Sequence, residues 1–213
     1  VLKLAAEQGR LQELERLTWF KASECYHVLL EEGLAAPDAL LFINSIGSQS
    51  MSQEECGELA RRYPGLQSRY VIEITESEDL DVEITLAKRS TPGFSGLFAL
   101  DDYGSGYNSE KNLLALNPQF IKVDISITRD IDSDPDKQSI VANLIRYAHE
   151  RGMSVIAEGL ETAAEVRSVL TLGVDLLQGY FLARPSAVPP QVNPAALDVI
   201  QQFHVQQAGP GES

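Results

Sequence analysis

Asn44, Glu73, Asp101, Asp102, Lys122, Glu158 and Gln178 share one context in this sequence. Each closes or lies within a short apolar run rich in β-branched residues: ALLFIN, YVIEIT, GLFALDD, FIKVD, SVIAE and DLLQGYF. Asparagine, glutamate and aspartate are hard oxygen donors, the set that Mg²⁺ or Mn²⁺ accepts. One polar residue at the end of an apolar run is unremarkable as a signal. A series of them, with Asn44, Glu73, Asp101, Asp102 and Glu158 spread over four of the six runs, describes a divalent-metal site laid out along the chain.

The stretches between these runs have helical period, so the repeating unit is a strand followed by a helix, and such units build a parallel sheet. Polar residues at the C-terminal ends of parallel strands point to a TIM-like (β/α)8 barrel, whose C-terminal rim carries function. Six strands are visible where a closed barrel has eight. The chain opens in helical VLKLAAEQGRLQELERLTWF without a methionine. The expectation is therefore an α/β barrel truncated at its N-terminus and belonging to a longer protein. It would form one domain over residues 1–207, with a disordered tail over 208–213.

Local signals place the helices. Residues 1–33 read as two helices broken near Gly9 and closing at Gly33. Ser52 and Glu55 form a capping box ahead of a helix that Pro64–Gly65 stops, and Pro118 stops another. Trp19 is expected in the core, while Glu83 and Lys88 are expected on a solvated helical face. His149 sits near a helix end, where a cation suits the helix dipole, and no histidine is assigned a catalytic role.

The chain has 213 residues, with 44% hydrophobic and 23% charged, which suits one globular α/β domain. Its 31 acidic and 17 basic residues leave a net charge of −14. That argues against non-specific binding to nucleic acid or to an anionic membrane surface, but not against an anionic substrate reached through divalent cations. Cys25 and Cys56 lack a CxxC spacing and read as two reduced cysteines of a cytoplasmic protein. No apolar stretch approaches a membrane span.

Asp101 and Asp102 open the loop DYGSGYNS. Two adjacent carboxylates at a strand end cannot both point into a barrel, so the loop must turn the second. Gly104 and Gly106 allow positive φ and a close backbone approach to a ligand. Lys122 is open to three readings: a core lysine snorkelling to the rim, a Schiff-base lysine, or a cation at the site. The carboxylates around it would raise its pKa, which disfavours the Schiff base. Asp124 fits a helix or loop cap as well as a site residue. Tyr103 and Tyr107 could stack a guanine, although packing within the loop is the simpler reading.

At this point the sequence resembles the EAL-domain family, the bacterial phosphodiesterases of cyclic di-GMP. The likeness rests on LLFINS, EITES, LDDYGSGYNS, NPQFIKVD, VIAEGLET and LLQGYFLARP, in the family's order and at its spacing. The opening LKLAAEQGRLQELE resembles the helix that follows the family's Glu-Ala-Leu strand. That strand, with its metal-binding glutamate and a nearby phosphate-binding arginine, has no counterpart in the sequence.

The resemblance implies a metal-dependent hydrolysis of cyclic di-GMP to linear pGpG, with Mg²⁺ or Mn²⁺ in two sites. It implies that Asn44, Glu73 and Asp101 hold one ion, that Asp102 holds the second, and that Glu158 binds metal or the attacking water. Lys122 would contact that water or the phosphate, and Glu161 and Gln178 would act on water or support the ligands. Glu76 would anchor the glycine-rich loop, and Gly104, Ser105, Gly179 and Pro185 would bind substrate. A homodimer and fusion to further signalling domains are implied as well. Degenerate family members bind cyclic di-GMP without cutting it, which gives a receptor as the rival reading. The retention of every visible site position favours the enzyme. An unrelated barrel lyase would leave the six serial motifs unexplained.

Overall fold

β1 (Leu41–Asn44), β2 (Tyr70–Thr75) and β3 (Leu97–Tyr103) run parallel, β2 pairing with both neighbours. The computed structural model describes residues 1–75, 81–91, 94, 96–106 and 109–208. Of the tail expected over 208–213, residue 208 ends a helix and residues 209–213 lie outside the described ones, as do Glu76 and Tyr107. By internal contacts the chain falls into two units. The first comprises Val1–Asp101 and Gly106–Gln119; the second comprises Asp102–Ser105 and the chain from Phe120 onward.

In the first unit, α1 (Leu2–Glu7) and α2 (Leu11–Glu31) precede β1, and α3 (Gln53–Arg62), α4 (Val82–Arg89) and α5 (Ser109–Leu116) follow β1, β2 and β3. Tyr70–Ile74 of β2 is buried at every position, as expected of a parallel strand covered on both faces. α2 buries Glu15, Trp19, Phe20, Ser23 and Tyr26, a stripe at helical spacing. The Trp19 ring meets Tyr70 and Phe94 edge-on at centroid distances of 5.6 and 5.1 Å. Ser52 and Glu55 form the expected capping box on α3.

The second unit carries β4 (Phe120–Val123), α6 (Ile125–Thr128), α7 (Pro135–His149), β5 (Ser154–Ala157), α8 (Ala163–Leu172), β6 (Leu176–Leu177) and α9 (Pro194–Ala208). β5 pairs in parallel with β4 and β6. Its core is aliphatic, with Ile121, Val123, Val155, Leu160, Val166 and Val169 all buried. Asp134 caps α7 ahead of Pro135, and Thr162 with Glu165 forms a second capping box on α8. Asp124 caps α6 through the amide of Ser126. His149 pairs with Asp175 at 3.0 Å.

Lys88 overturns its expected solvation. It is 5% exposed, and its ammonium is held by Glu15, Ser45 and the carbonyl of Ile46. Burial pulls it below the ordinary lysine pKa, with Glu15 opposing that shift. Glu83 is exposed, as expected. Both cysteines are free. Among the described residues no helix is long and apolar enough to cross a membrane.

Candidate metal and active site

In the first unit, strand register brings the oxygen donors onto one face. Asn44 pairs with Glu73, and Glu73 pairs with Ala99. Paired residues of parallel strands share a face, and residues two apart on one strand return to it. Asp101 therefore faces the same side as Asn44 and Glu73, one pleat nearer the strand's C-terminal end. Glu73 is 6% exposed and Asp101 9% exposed, whereas Asn44 is open to solvent. Two carboxylates this deeply buried are costly unless a cation or hydrogen bonds compensate them.

The same parity operates in the second unit. Lys122 pairs with Ile156, and Ile156 pairs with Leu176. Glu158 and Gln178 lie two residues further along their chains, so both share the face of Lys122. The Lys122 ammonium reaches Glu158 Oε1 at 2.8 Å, with both side chains mostly buried. Asp102 has φ of 57°, a left-handed conformation that interrupts strand alternation and turns its side chain. Its carboxylate has an oxygen within 4.8 Å of one of Glu158.

The other expected site residues sit in the second unit's loops, except Glu76, which lies outside the described residues. Ser105 turns back onto Asp102, its amide and its hydroxyl both donating to the Asp102 carbonyl. Gly104 packs so closely on Ile127 that a Cβ there would lie 2.2 Å from its Cδ1. Glu161 does not join Lys122 and Glu158 in an ion pair. It pairs with Arg129 at 2.7 Å, and that guanidinium holds its carboxyl below the usual glutamate range. Gln178, Gly179 and Pro185 line an open cleft with Glu161, Tyr180 and Arg184.

Several contributors escaped the sequence reading. Thr128 bonds the carbonyl of Glu158 through its hydroxyl at 2.5 Å. Buried Glu165 accepts the amides of Asp130, Glu161 and Thr162, tying two loops together. Glu15 and Lys88 form a buried pair in the first unit. Glu15 had a legible signal, since Leu11, Glu15 and Trp19 recur at four-residue spacing along one helical stripe.

The chain belongs to the EAL domain family, whose model matches residues 1–185. It is similar to the cyclic di-GMP phosphodiesterase PdeL of Escherichia coli K12, with 33% identity over 135 residues, 62% of this chain and 37% of that protein. Among solved structures it resembles a standalone EAL protein from Vibrio cholerae O395 with cyclic di-GMP bound. The identity is 28% and the TM-score 0.77, covering 92% of this chain and 84% of that one. It also resembles Klebsiella pneumoniae BlrP1 in complex with manganese and cyclic di-GMP. There the identity is 29% and the TM-score 0.64, covering 80% of this chain and 45% of that one. The chain spans 15–37% of the length of the first three curated relatives it matches. The expected TIM-like architecture is borne out by these folds, and six of its strands lie among the described residues.

Proposed function

We propose that this chain is the EAL-type domain, over residues 1–207, of a phosphodiesterase that opens cyclic di-GMP to linear pGpG. The observation that carries the reading is the buried Lys122–Glu158 pair with the carboxylate of Asp102 beside it, within a chain of this family. The donor set fits a hard divalent cation: asparagine and carboxylate oxygens, two of the carboxylates deeply buried. Asn44, Glu73 and Asp101 would hold one Mg²⁺ or Mn²⁺, Asp102 a second, and Glu158 a metal or the attacking water. Bound divalent cations lower the pKa of water and neutralise charge on a phosphodiester.

The chain's own residues supply the rest. Lys122 orients Glu158 and places positive charge where negative charge grows on the phosphoryl oxygens. Glu158 accepts a proton from water, and Gln178 positions it from the same face. Glu161, held by Arg129, supports the loop after Glu158. Gly104, Ser105, Gly179 and Pro185 would contact the substrate, and Glu76 would anchor the glycine-rich loop. The net charge of −14 suits a small anionic ligand met through cations better than nucleic acid or an anionic membrane.

The test is a cyclic di-GMP assay of the intact protein with Mn²⁺, the products being separated by chromatography. Linear pGpG is expected. Tight binding of the cyclic dinucleotide with no cleavage would replace this reading with a receptor, and neither binding nor cleavage would remove both. The wider reading is a cytoplasmic homodimer fused to other signalling domains. Light scattering that finds only monomer across micromolar concentrations would overturn the dimer.

A further inference from the structure

We infer that the buried Glu15–Lys88 pair is a positioning element for Asn44, acting through the main chain of Ser45 and Ile46. The inference rests on the metal site proposed above, of which Asn44 is a member.

Asn44 ends β1, and the segment after it must leave the strand without letting the asparagine swing. Four residues from distant parts of the first unit grip that segment. Glu15 of α2 accepts the Ile46 amide at 2.8 Å through Oε2 and the Ser45 hydroxyl through Oε1. Lys88 of α4 donates to the Ile46 carbonyl at 2.8 Å and to Ser45 Oγ at 2.6 Å. Thr85, one turn earlier, donates its hydroxyl to the Gly47 carbonyl at 3.1 Å. On the other side the Ser45 amide donates to the carbonyl of Glu73, itself an expected metal ligand, at 2.9 Å. Trp19 fixes the carboxylate by donating its indole N–H to Glu15 Oε1 at 3.1 Å.

Two features separate this arrangement from ordinary packing. Glu15 is 1% exposed and Lys88 5% exposed, and a buried ion pair is a costly way to fill a core that apolar residues would fill at least as well. Moreover, each charged group spends hydrogen bonds on the two residues directly following Asn44, so the network converges on one stretch of backbone. Residues that support a metal ligand from behind typically change affinity about 10- to 100-fold when removed.

The experiment uses the full protein in three variants. Ser45→Ala removes only the shared hydroxyl. Glu15→Gln with Lys88→Met removes both charges together. Leu59→Ala, in the fully buried core of α3, is a control that weakens the fold elsewhere in the same unit. Mn²⁺ binding is read from the paramagnetic resonance of the free ion, and folding from thermal melts. The expected result is about a tenfold or greater loss of Mn²⁺ affinity in Ser45→Ala and in the double variant. Leu59→Ala should lose melting temperature but keep its affinity. Wild-type affinity in a folded Ser45→Ala protein would overturn the inference, as would an equal loss of affinity in Leu59→Ala. Should the double variant fail to fold, Ser45→Ala decides alone. A wild-type protein that takes up no Mn²⁺ would overturn the metal reading itself, and this inference with it.

Discussion

Lys122 and Glu158 meet at 2.8 Å from adjacent parallel strands, although they are not paired in register: Lys122 lies opposite Ile156, and Glu158 follows one pleat later. The offset lets a long lysine reach forward along the strand direction to a carboxylate at the rim. With side-chain exposures of 8% and 13%, both charges are held largely out of water.

Lys122→Met should therefore be costly in metal-free protein. Removing one partner of a buried pair destabilises by roughly 3–5 kcal/mol, because a charge stays behind in poorly hydrated surroundings. Under the metal reading, Mn²⁺ supplies replacement positive charge near Glu158. Urea melts should show Mn²⁺ stabilising the variant more than it stabilises wild type, while turnover stays low in both conditions. Equal stabilisation of the two proteins would argue that no cation binds beside Glu158.

Asp101→Asn changes charge with little change of shape on the face shared with Asn44 and Glu73. Mn²⁺ affinity and turnover are expected to fall together, by more than the roughly 10- to 100-fold seen when a supporting residue is lost. Titration of activity against Mn²⁺ checks this, and unchanged turnover would remove Asp101 from the site.

Glycine substitutions should separate by what a Cβ would meet. At Gly179 it would lie 2.1 Å from the Leu160 carbonyl oxygen and 2.3 Å from its nitrogen, main-chain atoms that cannot yield. Gly179→Ala must break the bonds tying Gln178 and Phe181 to Leu160, each worth about 1 kcal/mol, and adds strain. At Gly57, inside α3, the new atom would meet only the end of Arg61 at 3.4 Å. Gly57→Ala should stabilise by roughly 0.5–1 kcal/mol, the usual helix preference for alanine. Thermal melts should move in opposite directions for the two variants.

Tyr70 governs part of the alkaline limit. Burial pushes its phenol up to about 12, and its hydroxyl lies 2.8 Å from that of Ser23. A group whose pKa is raised on folding stabilises the protein below its unfolded pKa of about 10. That stability is lost as pH rises towards the folded value. Tyr70→Phe should cost about 1 kcal/mol near neutrality through the lost hydrogen bond. The gap between the two proteins should narrow, and then reverse, between pH ~10 and ~12. Denaturant melts across that range provide the check, and a constant gap would show that Tyr70 does not titrate with unfolding.

The sequence by itself carried what local pattern encodes. Apolar runs carrying Asn44, Glu73, Asp101 and Glu158 at or near their ends announced parallel strands and their polar rim. Ser52 with Glu55 announced the start of α3, and Pro118 closed the segment after α5. These signals act within one or two turns of chain, where propensity, capping and alternation suffice. What tertiary structure decided were relations between distant segments. Lys88 sits on a helix whose charged residues resembled a solvated face, and only contact with Glu15, 73 positions earlier, shows why it is buried. Glu161 was implied to act on water or to support the ligands, and the fold adds an ion pair with Arg129, 32 positions earlier, that no local pattern announces. Gly179 entered as an implied substrate contact, and only the fold brings the Leu160 backbone hard against it. A side chain's partner depends on which strands and helices become neighbours, and that is settled by burial of the whole core rather than by the residues beside it.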